Sequence, residues 1–252
     1  MTEITSVTIN THNHLNCEKV EIIKFNNVFE ERFLQTLILQ VQDIQNNTSK
    51  DTYLTHHTQF DYDGKNIKII KNKTNDREQN VIFDLMFEDE YRYQTNDTVY
   101  TWGKNKLSET VSPVFLKVLH VIENFPPFKD ERNVWLPHRL HINYLKNEKF
   151  LGLHIDNSPT YFKTKHSVEA RQYSFTCYLA DHVEGLGGEF WTPEGFVYKP
   201  KRNTAILIPG NKFYHGVTQN ISDIPRLAFT IRYVHVDDLE LPGHPDKFLY
   251  RL

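Results

Sequence analysis

The chain has 252 residues, with 29 Lys and Arg against 32 Asp and Glu, so its formal net charge is −3 at pH 7. This length predicts one elaborated domain or two small ones, and the near-neutral charge argues against a nucleic-acid-binding protein. Two cysteines, Cys17 and Cys177, exclude a disulfide framework and favour a reducing, cytoplasmic location. No signal peptide and no apolar run of membrane-spanning length is visible, so we expect no membrane partner.

The first half of the chain predicts a mixture of helices and strands. Apolar residues recur at helical spacing over residues 28–45, which predicts an amphipathic helix. Residues 66–71 and 81–87 are typical of strands. A Ser-Pro pair begins a second predicted helix over residues 112–123, which is apolar on most sides and should therefore be buried.

From about Trp135 the sequence changes to short β-type runs that alternate with turn signals. Pro193-Glu194-Gly195 is typical of a hairpin turn between two of these runs. Many short strands in succession predict a sandwich, jelly roll or barrel, with the upstream helices packed outside it. The predicted strands are 139–144, 151–155, 173–179, 189–191, 196–198, 204–208, 216–219 and 227–235.

One pair of residues in this region suggests a metal site. His154 and Asp156 are two positions apart, so on a strand both side chains face the same side and could reach one ion. A third ligand is available in His215, which lies 59 residues beyond Asp156. Two imidazoles and one carboxylate on one face of an iron ion leave open positions for substrate and oxygen.

The His-x-Asp pattern alone is weak, because 13 His among 252 residues produce such triplets by chance. The chain holds two more, at positions 235/237 and 244/246, and a rival His182/Glu184 pair in a Gly-rich loop. The two later triplets lie too near the C-terminus to be followed by a distant third ligand and further strands. The order of strands and ligands therefore favours the first triplet.

A basic face follows the third candidate ligand. If the segment that begins at Arg226 is a strand, then Arg226, Ala228, Thr230 and Arg232 share one face. An arginine that points into a barrel needs a carboxylate partner, because an unpaired buried charge is costly. A dicarboxylate co-substrate held by both oxygens of one carboxylate would meet that need.

With these residues in place, the chain resembles the Fe(II)/2-oxoglutarate-dependent dioxygenases, in their prolyl-hydroxylase-like branch, over about residues 139–236. The markers are the His-x-Asp, Gly-Gly-Glu-Phe at 187–190, Val-x-x-Pro at 197–200, the distal His and the Arg at the start of the last strand. The resemblance implies His154, Asp156 and His215 as iron ligands and Arg226 as the partner of the distal 2-oxoglutarate carboxylate. It implies that Tyr144 and Tyr178 donate hydrogen bonds to the co-substrate.

The fold that the resemblance implies is mainly β with flanking helices, a double-stranded β-helix core on an N-terminal α/β support. We expect a single oxygenase domain, with support over 1–135, core over 136–238 and a tail over 239–252. After Val-x-x-Pro the family often has Gly at a tight turn, where this chain has Asn203, the next best residue for positive φ.

The implied function is hydroxylation of an unactivated C–H bond of an amino acid or small acid, with Fe(II), 2-oxoglutarate and O2, and ascorbate as reductant. Succinate and CO2 are the co-products. Arg232 is expected at the barrel mouth, in contact with a substrate carboxylate. Two alternatives stay open: a prolyl hydroxylase that acts on a protein or peptide, and a cupin-like binding module without turnover. Neither reading needs nucleic acid, and the oligomeric state is not predicted.

Overall fold

The fold is taken from a computed structural model of the chain. The structure describes residues 2–12, 17–47, 51–62, 67–84, 90–95, 98–103, 118, 121–122, 124–131, 135–145, 148–156, 170–235 and 238. Within the described part of the chain, no helix has both the length and the apolar character needed to cross a bilayer. The cytoplasmic location stays a prediction.

The chain begins with a hairpin and a helix. Strands β1 (Glu3–His12) and β2 (Cys17–Asn26) pair antiparallel, and helix α1 (Glu31–Asn47) follows them. A residue distant in sequence holds the segment just before α1. The Asn203 side chain accepts a hydrogen bond from the Phe29 N–H and donates one to the Phe29 carbonyl. Asn203 has φ 64°, as expected for the position where the family often has glycine.

The remaining elements are mostly strands. A single helical turn, α2 (Phe128–Glu131), precedes the second half of the chain. The strands in chain order are β3 (Asp51–Tyr62), β4 (Ile67–Asp84), β5 (Glu90–Thr95), β6 (Thr98–Gly103), β7 (Trp135–Leu145), β8 (Leu151–His154), β9 (Gln172–Tyr178), β10 (Phe190–Trp191), β11 (Val197–Tyr198), β12 (Thr204–Ile208), β13 (His215–Val217) and β14 (Arg226–His235).

These strands form a large sheet and a small one that enclose the candidate site. The large sheet has the order β1-β2-β12-β9-β14-β7-β4-β3, and the small sheet has the order β11-β10-β13-β8. Strands β5 and β6 form a separate two-stranded sheet. The fold class predicted from the sequence is confirmed: a mainly antiparallel β architecture of the double-stranded β-helix type. Four strands from the first half of the chain, β1 to β4, are members of the large sheet.

The large sheet has a different apolar cluster on each face. Along β14, Leu227, Phe229 and Ile231 belong to the outer cluster, which also contains α1 residues, while Ala228 belongs to the inner cluster between the sheets. Alternate residues of a strand face opposite sides, which explains why two cores share one strand. Polar residues replace the apolar ones on the inner face where the candidate site lies. The alternation along β14 therefore turns Arg226, Thr230 and Arg232 into the space between the sheets.

The structure confirms the predicted strands of the second half, and the observed strand ends differ from the predicted ones by a few residues. The hairpin turn at 193–195 is also confirmed, since Thr192 N–H donates to the Phe196 carbonyl between β10 and β11. In the first half, two strands were expected at 66–71 and 81–87. Residues 67–71 and 81–84 of these belong to one strand, β4. Most of the helix predicted at 112–123 lies outside the described residues.

Candidate metal centre

The two candidate histidines face each other across neighbouring strands. His154 ends β8, His215 begins β13, and the two residues are register partners in the small sheet. Their ring centroids are 4.5 Å apart. Nδ1 of His154 lies 2.8 Å from the Gly152 carbonyl oxygen, and Nδ1 of His215 lies 3.2 Å from that of Phe213. A carbonyl can only accept, so each Nδ1 carries the proton and each Nε2 keeps its lone pair for a metal.

The candidate carboxylate is positioned by backbone and side-chain contacts just after β8. Asp156 is buried, and its N–H donates to the Gly210 carbonyl at 2.9 Å. Ser174 Oγ on β9 donates to Asp156 Oδ2 at 2.6 Å. β8 ends at His154, so the strand geometry assumed from the sequence does not place Asp156. The contacts to Gly210 and Ser174 bring its carboxylate to the histidines instead.

The three side chains form one compact donor set. Asp156 Oδ1 lies 3.7 Å from His154 Nε2, and Oδ2 lies 3.9 Å from His215 Nε2. One ligand atom from each residue lies within 4.8 Å of the other two. With metal–ligand bonds of about 2.0–2.2 Å, a single ion between these atoms could contact all three. Two imidazoles and a carboxylate fit a first-row divalent metal such as Fe(II).

The protonation states also suit metal binding. Burial alone would favour the neutral acid form of Asp156, but the Arg232 guanidinium and the two imidazoles hold its pKa well below the usual range. Burial, with the neighbouring His154, lowers the pKa of His215 to about 4. Near neutral pH the site therefore offers an ionised carboxylate and a neutral His215 imidazole, the forms that bind metals.

The opposite end of the same cavity is basic and polar. The cavity, about 470 Å³ including the solvent at its mouth, is lined by the three candidate ligands and also by Tyr178 and Arg226. The Arg226 guanidinium carbon lies 5.0 Å from the Tyr178 ring centre. Tyr178 Oη and Arg226 Nε are buried without a hydrogen-bond partner among the described residues. Buried polar groups are normally satisfied, so these two atoms fit a polar ligand such as a carboxylate.

The family comparison agrees with this geometry. Residues 140–234 match the family model of the 2OG-Fe(II) oxygenase superfamily. This match covers less than half of the chain, and over residues 140–234 the chain is similar to that superfamily. The matched region contains all three candidate metal ligands, together with Tyr178 and Arg226. No curated protein matches the chain.

Solved structures show the same fold at low sequence identity. The non-haem alpha-ketoglutarate-dependent carbocyclase SnoK from nogalamycin biosynthesis is 9% identical, with a TM-score of 0.59 over 90% of this chain and 84% of that one. The epimerase SnoN from the same biosynthesis is 10% identical, with a TM-score of 0.55 over 92% and 90%. A viral collagen prolyl hydroxylase from Paramecium bursaria Chlorella virus-1 is 12% identical, with a TM-score of 0.48 over 85% and 95%, too low to assign the branch.

Two residues predicted for the site have unexpected positions. Tyr144 packs against the outer cluster of the large sheet, whereas its neighbour Asn143 lines the cavity. Adjacent residues of β7 face opposite sides, so the co-substrate role predicted for Tyr144 has no support in this placement. Arg232 does line the cavity, but its Nη2 donates to Asp156 Oδ1. Arg232 therefore lies beside a candidate metal ligand, and its contact with a substrate carboxylate stays a prediction.

Several polar residues of the cavity were missed by the sequence analysis. Thr230 accepts a hydrogen bond from Asn143 Nδ2 at 3.2 Å, and its hydroxyl lies 3.0 Å from that of Thr176 on β9. Ser174 lies on the same face of β9 and contacts Asp156. The sequence did contain a signal for these residues: polar residues at 174 and 176 alternate with apolar residues at 175 and 177, which predicts one polar face on this strand.

The rival metal-binding pairs do not form a site among the described residues. His182 contacts Glu189, with Nε2 3.1 Å from Oε1, and Glu184 is bound instead by Lys199. The His235 ring packs on Trp135 at 5.3 Å. Asp237 and the 244/246 pair lie outside the described residues. Among the residues that the structure describes, His154, Asp156 and His215 are the one group of three that could hold a metal ion.

Proposed function

We propose that the chain is a non-haem Fe(II)- and 2-oxoglutarate-dependent dioxygenase that oxidises an unactivated C–H bond of an organic substrate, with hydroxylation as the primary outcome. The observation that carries this proposal is the joint placement of a buried His-Asp-His donor set and the Arg226–Tyr178 pair in one cavity. Iron and 2-oxoglutarate, when bound, supply the oxidising chemistry and release succinate and CO2.

The protein's own residues bind and orient. His154, Asp156 and His215 would hold the metal through Nε2 atoms and one carboxylate oxygen. Arg226 would pair with the distal carboxylate of 2-oxoglutarate, and its Nε and the Tyr178 hydroxyl would gain the partners they lack among the described residues. Apolar side chains, among them Phe190 and Val217, line the same cavity and limit the access of water to the bound metal.

The substrate class is proposed on weaker grounds than the reaction class. Arg232 suggested an amino acid or small acid, but its guanidinium faces Asp156. We therefore keep free amino acids, small acids and prolyl peptides as substrates to compare directly. The fold neighbours are named as a carbocyclase and an epimerase. Because one fold carries these different outcomes, the assay should follow the co-substrate before any particular product.

The decisive experiment is turnover of 2-oxoglutarate by the iron-loaded chain, with ascorbate as reductant. We expect slow formation of succinate without substrate, and faster formation when the right amino acid or peptide is present. His154→Ala and Asp156→Ala should abolish turnover, and Arg226→Met should raise the KM for 2-oxoglutarate. Tyr144→Phe serves as the matched control, because Tyr144 packs on the outer face of the sheet. Absence of metal-dependent 2-oxoglutarate binding would refute the proposal.

A binding module without turnover gives a different result. It would bind metal and 2-oxoglutarate with the same dependence on Arg226, yet form no succinate with any substrate in the panel. Binding measured by calorimetry and turnover measured by NMR on the same samples therefore separate the two functions.

A further inference from the structure

A second, smaller cavity lies on the other side of Arg226 from the candidate site. It measures about 270 Å³ including the solvent at its mouth, and its walls come from the loop 180–188, from Pro200 and from the segment 220–224. Arg226 is the one described residue that lines both cavities. Its side chain therefore has space behind it, into which the guanidinium could move away from the candidate site.

The loop that forms one wall of the second cavity lies against Arg226 at a glycine. A Cβ atom built on Gly188 would lie 3.7 Å from Arg226 Cδ and 4.0 Å from Arg226 Cβ. These are ordinary van der Waals distances, so the Gly188 backbone lies beside the methylene groups of Arg226 with no side chain between them. The position of this loop therefore limits how far Arg226 can move back.

Glu189, which follows Gly188, holds the loop in place. One of its carboxylate oxygens accepts a hydrogen bond from the Thr218 hydroxyl, and the other lies 3.1 Å from Nε2 of His182. The Glu189 N–H donates to Thr218 Oγ1 at 3.0 Å, and the Thr218 N–H donates to the Glu189 carbonyl at 2.9 Å. His182 lies near the start of the loop and Glu189 at its end, so one carboxylate connects both ends to the residue that follows β13.

These contacts are well placed to be strong. The Glu189 and His182 side chains are only 15% and 5% exposed. Burial alone would raise the pKa of Glu189, but the hydrogen bonds from Thr218 and from its own backbone hold that pKa below its usual value. Glu189 is therefore ionised near neutral pH, and hydrogen bonds to an ionised group are stronger than those between neutral groups.

We propose that Glu189 is a positioning residue that sets the length of the 2-oxo acid accepted by the site, because it holds the loop against Arg226 and keeps the guanidinium out of the second cavity. The inference rests on the proposed function, in which Arg226 pairs with the distal carboxylate of 2-oxoglutarate. 2-Oxoadipate is longer by one methylene group, so its distal carboxylate needs Arg226 to move back. A loosened loop allows that movement, whereas the loop held by Glu189 opposes it.

Two variants of Glu189 and one control separate this role from a general effect on the loop. Glu189→Ala removes both side-chain contacts, whereas Glu189→Gln keeps a carbonyl acceptor for Thr218 and an N–H donor for Nε2 of His182. Glu184→Ala is the matched control, because Glu184 lies in the same loop but pairs with Lys199 on the surface. The affinities of 2-oxoglutarate and 2-oxoadipate for each Co²⁺-loaded, full-length protein are measured by calorimetry.

We expect the wild type to bind 2-oxoglutarate at least about tenfold more tightly than 2-oxoadipate, since one methylene group in a pocket is worth about 10–200-fold. In Glu189→Ala this preference should fall below about threefold. Glu189→Gln and Glu184→Ala should keep the wild-type preference, and the Co²⁺ affinity without either acid should be the same in all four proteins. The change in preference is the informative result, because a general loss of stability would weaken the binding of both acids equally.

Ile224→Phe tests the second cavity from its opposite wall. Ile224 lines this cavity and is 53% exposed, so a larger ring can fill the space behind Arg226 without displacing a buried side chain. With less room for Arg226 to move back, the preference for 2-oxoglutarate should rise by about threefold or more.

Several results would overturn the inference. Glu189→Ala with the wild-type preference, or with both acids weakened by the same factor, would show that Glu189 only stabilises the loop. A wild-type preference below about tenfold, or an unchanged preference in Ile224→Phe, would refute the role of the second cavity, and neither measurement depends on Glu189→Ala folding. If the Co²⁺-loaded wild type bound neither acid, the proposed function itself would be refuted.

Discussion

Substitution of Gly210 by alanine tests how the Asp156 carboxylate is positioned. A Cβ atom built on Gly210 would lie 2.2 Å from Asp156 Oδ2 and 2.9 Å from its Cγ. The first distance is more than about 1 Å short of ordinary contact, and the second is about 0.5 Å or more short of it. The carboxylate must therefore move, and the movement would disturb the 2.6 Å hydrogen bond from Ser174 to the same oxygen.

The expected loss follows from the size of this displacement. Disturbing the groups that orient a metal ligand costs about 10–100-fold in metal affinity, and a misplacement of about 1 Å costs about 100-fold in rate. We expect Gly210→Ala to bind Co²⁺ at least about tenfold more weakly than the wild type, by calorimetry. Its 2-oxoglutarate turnover should fall further than its metal affinity.

Gly185→Ala is the control for this experiment. Gly185 has φ +78° and open space where a Cβ would lie, so alanine there should cost about 1–2 kcal/mol of stability through backbone strain. Its metal affinity should equal that of the wild type. If Gly210→Ala retains wild-type Co²⁺ affinity and a wild-type Co²⁺ absorption spectrum, the reasoning about Asp156 is wrong.

Three further predictions concern the core and one turn. Burial raises the pKa of the Cys177 thiol, so this thiol should react slowly in the native protein. A thiol reagent at pH 8 should give no fast labelling of native Cys17→Ser protein and should label one thiol after unfolding. Fast labelling of the native protein would contradict this. Phe229→Ala should lower the free energy of unfolding by about 3–5 kcal/mol, because Phe229 is fully buried; a loss under 1 kcal/mol in urea titration would count against the assigned core. Asn203→Ala should lower the free energy of unfolding by about 2–3 kcal/mol, because it removes both hydrogen bonds to Phe29 and puts alanine at a positive φ. Asn203→Gly should lower it less, because glycine adopts a positive φ without strain. The reverse order would show that φ is not the limiting feature.

The second half of the chain could be predicted well because its strands are short and separated by strong turn signals. Order and spacing indicated His154 and His215 as candidate ligands, and its position at the start of a strand indicated Arg226 as a candidate. The structure places all three around one cavity, and their roles stay predictions. The role predicted for Tyr144 stays a prediction, although its place on the outer face of the large sheet does not favour it. Spacing along the chain does not fix which face of a strand a residue occupies, and a difference of one position reverses it.

The first half was less predictable. Strand β1 was missed because Val7, Ile9 and Thr11 are only partly apolar at alternate positions, and the threonine is the buried one of the three. The partner of Arg232 could not be predicted either. It depends on the position of Asp156, which is set by the Gly210 backbone more than 50 residues away in sequence.

The pairing of His154 with His215 across β8 and β13 has a consequence for folding. The two ligands are 61 positions apart in sequence, so the donor set forms only after a long loop has closed and the two strands have paired. A metal held by both imidazoles would act as a reversible cross-link over that loop, and its binding free energy would add to the stability of the native state. Chelation should therefore lower the melting temperature and loosen the small sheet before the large one.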